Sequence, residues 1–450
     1  MWLPKTTDIG QIGEPYDITS ITGPFWFGFL NLTQTLGPKI RPINSEEKIM
    51  YQHLAILAAF VLVYSAVAGR LEKMPIGGAV VAIGFGFICG PLGLKIFTPH
   101  VDEELLRTLA ELTLALVLFT DAANANLGVL KIRLQIPERL LLIGLPLTIL
   151  LGFGFGILVF PGMALFEVAV LATMLAPTDA ALGKAVVTNP AVPVTLRESL
   201  NVESGLNDGI CVPILFVFLT LASDATMKRS GAQLALVLVA QQIGIGAAVG
   251  LGLTAAGGWL LKRCAQRNWI TETWRQLPVV ALAFMCFSVA QILGGSGFIA
   301  SFTGGILFGA LAKEHKHDLL RAAEGAGDTM SLVTWMSFGA AVVGQVIGKF
   351  NWSILIYSCL SLTVVRMLPV YLSLAGSSLK PGSRLFLGWF GPRGLATVVF
   401  AVIVLNHHLP GGNEIVLTAA CTVILSILAH GFSANPLAAL LGKRETSRVQ

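Results

Sequence analysis

The stretch "LNVESGLNDGICVPILFVFLTLA", residues 200–222, combines two features that rarely occur in one segment. Its second half is a continuous apolar run of the kind that continues into a membrane. Its first half carries Glu203, Asn207 and Asp208 within six residues. Charged side chains inside a membrane helix are costly, so each needs either a partner or a function. The stretch therefore predicts a membrane helix whose first half carries polar residues with a structural or functional role.

The rest of the chain has the composition of a membrane protein. Of its 450 residues, 54% are hydrophobic and only 12% are charged, whereas soluble proteins carry about a quarter charged residues. We therefore predict an all-α polytopic membrane protein. The net charge of +5 does not indicate a nucleic-acid partner, because the basic residues lie in short loops between apolar runs. Scattered cysteines without metal-ligand spacing predict no disulfide framework, metal site or cofactor.

Apolar runs of membrane-spanning length divide the chain. They predict a transmembrane domain over 51–442, preceded by an extracytoplasmic or interfacial segment, 1–50, and followed by a short cytoplasmic tail, 443–450. Thirteen spans are expected, at 52–69, 75–96, 104–124, 138–160, 164–183, 198–223, 233–262, 276–294, 296–314, 327–348, 351–376, 385–407 and 414–441.

The basic residues predict the orientation. Nineteen Lys and Arg lie in or beside the tail and the loops that follow odd-numbered spans, against eight in the N-terminal segment and the other loops. Positive residues favour the cytoplasmic side. The N-terminus is therefore expected outside and the C-terminus in the cytoplasm, in what we interpret as a bacterial inner membrane.

Two spans are interrupted by proline beside polar residues. Span 5 contains Pro177, Thr178 and Asp179, and span 12 contains Pro392 and Arg393. Proline removes a backbone donor, and such a break persists in lipid only where the freed groups face protein or a wet cavity. The breaks lie seven spans apart, which fits two six-helix halves with span 1 extra. Paired broken helices in corresponding positions indicate a transporter binding site near the middle of the membrane.

Opposite charges inside the spans suggest an ion pair. Glu203 and Arg366 are each otherwise alone among apolar neighbours, so we expect them to pair and fix helix packing. Arg393 either compensates the carbonyl dipoles at its helix break or contacts the substrate. His430 is interpreted as a histidine near the cytoplasmic end of the last helix, with a role as a base as the alternative.

Three carboxylates are candidates for ion handling. Burial penalises the charged form of a carboxyl group, so Asp208 can exchange a proton for a small cation. Its alternative role is to cap or bond a neighbouring helix. Asp179 either belongs to the binding site or caps the second half of span 5. Asp121, near the end of span 3, either lines the pathway or anchors its helix. Oxygen ligands for an alkali cation could come from Ser204 and Thr178.

The residues that carry these features resemble those of a known family. The match is to the monovalent cation/proton antiporters, which include the NhaP-type sodium/proton antiporters and the sodium/proton exchangers, and it covers roughly residues 52–441. It rests on the motifs "APTDAALG" (176–183), "ESGLNDG" (203–209), "GGSGFIASFTGGILFG" (294–309), "VVRMLPV" (364–370), "GPRGLATVVFA" (391–401) and "SILAHGFSANPLA" (426–438).

The resemblance implies a fold and a role for several residues. The fold would contain two inverted six-helix repeats with crossed broken helices, as in NhaA and NhaP, and a mobile core at 138–223 and 351–441. A homodimer would form through other helices. Asp208 would hold the cation or the proton in turn, beside Asn207, with oxygens from Ser204 and Thr178 completing a Na⁺ site.

The remaining polar residues also have implied roles in this family. Asp179 stands at the acid of the Thr-Asp motif, and Asp121 at an acid common in the third helix. Glu203 would pair with Arg366, and Arg393 would steady the helix crossing.

The expected function is thus exchange of Na⁺, with K⁺ or Li⁺ as alternatives, for H⁺ by alternating access. The Asn-Asp pair is similar to that of family members that exchange one cation for one proton without net charge, so the resemblance implies electroneutral exchange and a role in pH homeostasis. The expected partners are these ions, membrane lipid and a second copy of the chain; no enzymatic activity is expected. Two rivals are a cation channel lined by the same acids and, on the weak match of "GGSG" around Ser296, an intramembrane protease.

Overall fold

A computed structural model describes most of the chain. It covers residues 45–71, 78–96, 103–124, 135–179, 182, 184–187, 189–223, 229–271, 273–312, 316–343 and 347–446. The chain divides by its contacts into Met1–Ile56 and Leu57–Gln450. In the first of these units the structure describes only the start of one helix, so the predicted segment 1–50 lies almost wholly outside the described residues. Everything below concerns the second unit unless stated.

The described residues are helical and contain no strand, which confirms the predicted all-α class. The apolar runs form helices because in lipid every backbone group must be satisfied within its own segment. The helices are α1 Ser45–Leu71, α2 Gly78–Cys89, α3 Glu103–Asn124, α4 Gln135–Val159, α5 Leu165–Met174, α6 Lys184–Val187, α7 Val194–Ser223, α8 Arg229–Gln266, α9 Leu277–Ile292, α10 Gly297–Ala312, α11 Lys316–Phe338, α12 Trp352–Leu362, α13 Val364–Ser373, α14 Pro381–Trp389, α15 Leu395–Asn406 and α16 Gly412–Thr446.

Each predicted span corresponds to one helix or one pair of helices. Within the described residues, seven helices are long and apolar enough to cross a membrane, and four shorter apolar helices accompany them. Two short π-helical segments occur, Leu140–Gly144 within α4 and Gly339–Val343 after α11.

The tenth predicted span corresponds to a helix that begins before the span does. Its helix, α11, starts at Lys316 rather than at 327. The added turns carry Asp318, Arg321 and Glu324, and hydropathy cannot detect a helix through so polar a segment.

The helices pack as two groups. In one group, α10 packs against α3, α8 and α9, and α11 packs against α2 and α3. In the other, α4, α5, α7 and α12–α16 pack on one another, with α6 against α7 and α16. Each group contains an apolar cluster, centred on Phe119 and Ala283 in the first and on Leu140 and Val370 in the second. The helices α7 and α15 contact both groups and so lie where the groups meet.

Glycine allows two helices of the first group to approach closely. On α10, a Cβ added at Gly305 would collide with the carbonyl oxygen of Phe119, and one added at Gly309 with that of Ala123. Both carbonyls belong to α3. Small residues are the usual means of close helix approach in membranes, where no hydrophobic force drives helices together.

We expect Gly305→Ala to destabilise the protein by about 1–3 kcal/mol, the usual effect of overpacking a tight contact. The matched control is Gly325→Ala on α11, where an added Cβ meets nothing within 4 Å. Thermal unfolding in detergent, followed by size-exclusion chromatography, measures both variants. Equal unfolding temperatures for the two variants would contradict the close α3–α10 contact.

Candidate cation site

The two helix breaks meet in the second packing group. The first break follows Met174 at the end of α5, and the second lies between Trp389 of α14 and Leu395 of α15. The backbone N–H of Asp179 in the first break donates to the carbonyl oxygen of Pro392 in the second, at 2.8 Å. The two irregular segments are therefore bonded directly to each other. Sequence had indicated both breaks but not this contact.

Arg393 satisfies carbonyls that the first break leaves free. Its Nη1 donates to the carbonyl oxygens of Ala176 at 2.6 Å and Pro177 at 2.9 Å. The side chain is completely buried, while its Nε and Nη2 have no hydrogen-bond partner among the described residues. Two roles were proposed for Arg393, to compensate carbonyl dipoles at a helix break or to contact the substrate. These hydrogen bonds agree with the first role.

Asp179 accepts backbone amides from both broken helices. Its Oδ2 accepts the N–H of Leu395, the first residue of α15, at 2.8 Å, and its Oδ1 accepts the N–H of Leu182 at 3.2 Å. A carboxylate at a helix N-terminus satisfies an amide that has no partner within the helix. Sequence had suggested that Asp179 caps the second half of its own span. In the structure it also caps α15, the helix that follows the other break.

Three predicted ligands lie together between α7 and the first break. The Oγ of Ser204 donates to the carbonyl oxygen of Thr178 at 2.5 Å. The Nδ2 of Asn207 donates to the Oγ1 of Thr178 at 2.7 Å. All three side chains are buried. The Oδ1 of Asn207 has no hydrogen-bond partner among the described residues and is available to a ligand.

Asp208 lies beside this trio on α7 but is not bonded to it. Its side chain is only 7% exposed, and its Oδ1 makes no hydrogen bond within the described part of the chain. It interacts electrostatically with the carboxylates of Asp179 and Asp121 and with the guanidinium of Arg393. A buried polar atom without a partner is rare in native proteins and calls for an explanation. A bound proton or cation would supply one.

Asp121 is a candidate acid on another helix. It lies on α3, where its backbone and Cβ pack against Gly205 of α7, and it is only partly buried. It interacts electrostatically with Asp179 and with Glu324 and Asp328 of α11. This position, at the meeting of the two packing groups, is compatible with either of its proposed roles.

Glu203 and Arg366 form a bidentate ion pair. The Nη1 of Arg366 donates to Oε1 of Glu203 at 2.6 Å, and Nη2 donates to Oε2 at 2.8 Å. Both side chains are almost fully buried. The pair joins α7 to α13, so Glu203 is held in a structural contact between two helices.

Sequence reasoning missed the polar side chains of α16. The structure places His430 inside this helix and buries it, which corrects its assignment to a helix end, since α16 continues to Thr446. Its neighbour Ser426 accepts the backbone N–H of Arg393 at 2.7 Å. The four-residue spacing of Ser426 and His430 in an apolar helix was the available signal.

Ser296 has a capping role. It precedes α10, and its Oγ accepts the N–H of Ile299 at 3.4 Å, the usual arrangement of a serine at a helix N-terminus. The described residues also contain no cluster of three or more His, Cys, Asp or Glu that could hold a metal ion.

We expect Glu203→Gln and Arg366→Ala each to destabilise the protein by about 3–5 kcal/mol, because each leaves a buried charge unpaired. The double variant Glu203→Gln/Arg366→Ala, which buries no charge, should lose much less stability than the sum of the two single losses. Thermal unfolding of the purified proteins completes this cycle. Strictly additive effects would contradict the ion pair.

Comparison with known proteins extends this picture. The chain is 24% identical to a K⁺/H⁺ antiporter NhaP2 of Shewanella sp. strain ANA-3, over 86% of this chain and 66% of the relative. It therefore spans slightly less than two thirds of that relative's length. It is 26% identical to a Na⁺/H⁺ antiporter of Schizosaccharomyces pombe, over 86% of this chain and 90% of that protein.

The solved structure of the sodium proton antiporter MjNhaP1 from Methanocaldococcus jannaschii matches with a TM-score of 0.72. The match covers 88% of this chain and 99% of that one, at 20% sequence identity, and shows a shared fold. The family model described as "Sodium/hydrogen exchanger, transmembrane" matches residues 56–440. Because this match covers most of the chain, the protein belongs to the transmembrane sodium/hydrogen exchanger family.

Proposed function

We propose that the chain is a secondary active antiporter that exchanges one monovalent cation for one proton at Asp208. The observation that carries this proposal is the unbonded Oδ1 of Asp208, buried beside a helix break. A carboxylate there can hold a cation or a proton, but not both. Exchange is coupled if the site changes sides only when Asp208 is neutralised by one of the two.

The ligand set suits an alkali cation. Asp208 would supply charge, and Ser204 and Thr178 would supply neutral oxygens. The unpartnered Oδ1 of Asn207 is a further oxygen that this cation could use. Hard cations prefer such oxygen ligands.

The proposed stoichiometry rests on the different contacts of Glu203, Asp179 and Asp208. Both oxygens of Glu203 are occupied by Arg366, and both oxygens of Asp179 accept backbone amides. Asp208 remains as the carboxylate that can change its charge state. One titrating carboxylate supports electroneutral one-for-one exchange.

We further propose that the second packing group moves as the core. It contains both breaks and matches the predicted core segments, 138–223 and 351–441. Its contacts with the first group run mainly through α7 and α15, which carry or border the site. Movement of this group against the first would expose Asp208 to the two sides of the membrane in turn.

Ion identity, assembly and orientation belong to the same proposal. The relatives named above are called K⁺/H⁺ and Na⁺/H⁺ antiporters. We propose Na⁺ as the transported cation, with K⁺ and Li⁺ as alternatives. The exposed apolar side chains of α1, such as Leu62 and Val63, suit lipid or a second copy in a homodimer. We retain the N-terminus outside and the C-terminus inside a bacterial inner membrane, with pH homeostasis as the cellular role.

In liposomes containing a pH dye, external Na⁺ should alkalinise the lumen independently of a clamped voltage. Asp208→Asn should abolish this signal, at least about 100-fold, while the protein still folds, because the amide can exchange neither a proton nor a charge. Asp318→Asn is the matched control: this aspartate is exposed on α11, and its variant should retain exchange. Parallel assays with K⁺ and Li⁺ identify the ion.

An active Asp208→Asn protein would refute the proposed site. Voltage-driven cation flux without proton movement would indicate a channel instead of an antiporter.

We expect Asp179→Asn to retain much of the exchange activity and Asp179→Ala to lose stability and activity together. Asparagine keeps one oxygen that can accept the amide of Leu395, whereas alanine removes both acceptors. Loss of a helix cap costs about 1–2 kcal/mol, so thermal unfolding should separate the variants. A stable Asp179→Asn protein without any exchange would instead make Asp179 part of the ion-binding machinery.

A further inference from the structure

One face of α16 is bonded to the second helix break. The Nε2 of His430 lies 2.8 Å from the carbonyl oxygen of Trp389, and the Oγ of Ser426 accepts the N–H of Arg393 at 2.7 Å. The indole Nε1 of Trp389 donates to Ser433 at 2.8 Å. These three side chains of α16 are four and three residues apart and therefore share one helix face.

The two backbone groups involved are natural partners. In a continuous helix the N–H of Arg393 would donate to the carbonyl of Trp389, because the two residues are four apart. The break separates them: the carbonyl of Trp389 accepts the N–H of Gly391 at 2.8 Å and also contacts His430, while the N–H of Arg393 donates to Ser426. Since the carbonyl of Trp389 can only accept, this hydrogen bond forms in the tautomer of His430 that carries the hydrogen on Nε2.

Ser426 and His430 also contact each other. The Nδ1 of His430 lies 3.2 Å from Oγ of Ser426 and 2.8 Å from its carbonyl oxygen. Both side chains are buried. The pair thus forms a continuous side-chain bridge from the last carbonyl of α14 to the amide of Arg393, in place of one backbone hydrogen bond.

We propose that His430 and Ser426 are positioning residues that set the geometry of the cation site through this bridge. The proposal deepens, and rests on, the antiporter function proposed above. The bridge sets the separation between Trp389 and Arg393, and thereby the position from which Arg393 holds the carbonyls of Ala176 and Pro177.

The next residue along the chain transmits this position to the ligands. Thr178 follows Pro177 directly, its carbonyl accepts Ser204, and its hydroxyl accepts Asn207. A shift of Arg393 would therefore move Thr178 relative to α7. His430 itself touches none of the proposed ligands, so its effect reaches the cation only through Arg393.

Two substitutions at His430 distinguish the effect of losing its hydrogen bond to Trp389 from the effect of changing the volume of the side chain. Glutamine places its amide nitrogen near the position of Nε2 and can still donate to Trp389, whereas asparagine is too short. In the liposome assay we expect His430→Asn to raise the apparent KM for the cation about tenfold, the effect of one lost buried hydrogen bond. His430→Gln should stay within about twofold of the unchanged protein.

The buried hydroxyl of Thr422 provides the control on the same helix. It bonds to Ser358 of α12 and not to the break, so Thr422→Val should leave the apparent KM unchanged even where it lowers the amount of folded protein. Equal KM values for His430→Asn, His430→Gln and the unchanged protein would overturn the proposal, as would an equal rise in the two variants.

Hydrogen exchange provides a readout that does not depend on transport. In detergent, amides of peptides covering 386–400 should exchange faster in His430→Asn and Ser426→Ala than in His430→Gln and Ser426→Thr. If the rate of amide hydrogen exchange in residues 386–400 is the same in all four variants as in the unchanged protein, the proposed bridge is refuted. If the unchanged protein shows no cation/proton exchange, the proposed function fails, and hydrogen exchange still decides the bridge. If His430→Asn does not fold, the Ser426 pair decides both measurements.

Discussion

Two helix breaks leave backbone amides and carbonyls without helical partners inside an apolar protein, and most of the polar side chains near the site satisfy them. An unsatisfied backbone group at membrane depth costs several kcal/mol. Arg393 donates hydrogen bonds to the carbonyls of Ala176 and Pro177. Asp179 accepts the amide of Leu395, and His430 contacts the carbonyl of Trp389. Each of these positions needs a side chain that can donate to or accept from the backbone group that the break leaves free.

This constraint separates the acids by role. Asp179 accepts two backbone amides, and Glu203 accepts two hydrogen bonds from the guanidinium of Arg366. Both carboxylates are therefore held by structural contacts. Asp208 has no such contact at Oδ1, and changing its charge state breaks no hydrogen bond at that atom. Structural partners therefore leave one acid to carry the proposed exchange.

Sequence predicted the parts of this site that depend on local pattern. Hydropathy located the spans, proline indicated both breaks, and isolation among apolar residues pointed from Glu203 to Arg366, two residues that are in contact. The polar start of α11 was missed because a hydropathy profile reports only the apolar part of a helix. Hydropathy also could not indicate that α5 ends at Met174, three residues before Pro177.

The contacts that cross between the breaks could not be predicted in the same way. Asp179 caps a helix that begins more than 200 residues later in the chain, and its neighbours in sequence give no sign of this. Sequence alone placed His430 near the cytoplasmic end of the last helix. The helix instead continues past Pro436, so the histidine lies opposite the break.

The same contacts indicate where movement can occur. A break whose freed groups are bonded to side chains is a rigid crossing rather than a hinge, since bending it would break several buried hydrogen bonds at once. The proposed movement that alternates access to Asp208 would therefore take place between the packing groups. There, α7 presents Gly205 to Asp121 of α3 and Gly209 to the ring of Phe302 on α10. Glycines give α7 a surface without side chains at these points, with no hydrogen bonds to break, and one helix can slide past its neighbours while the crossing that holds the ligands stays intact.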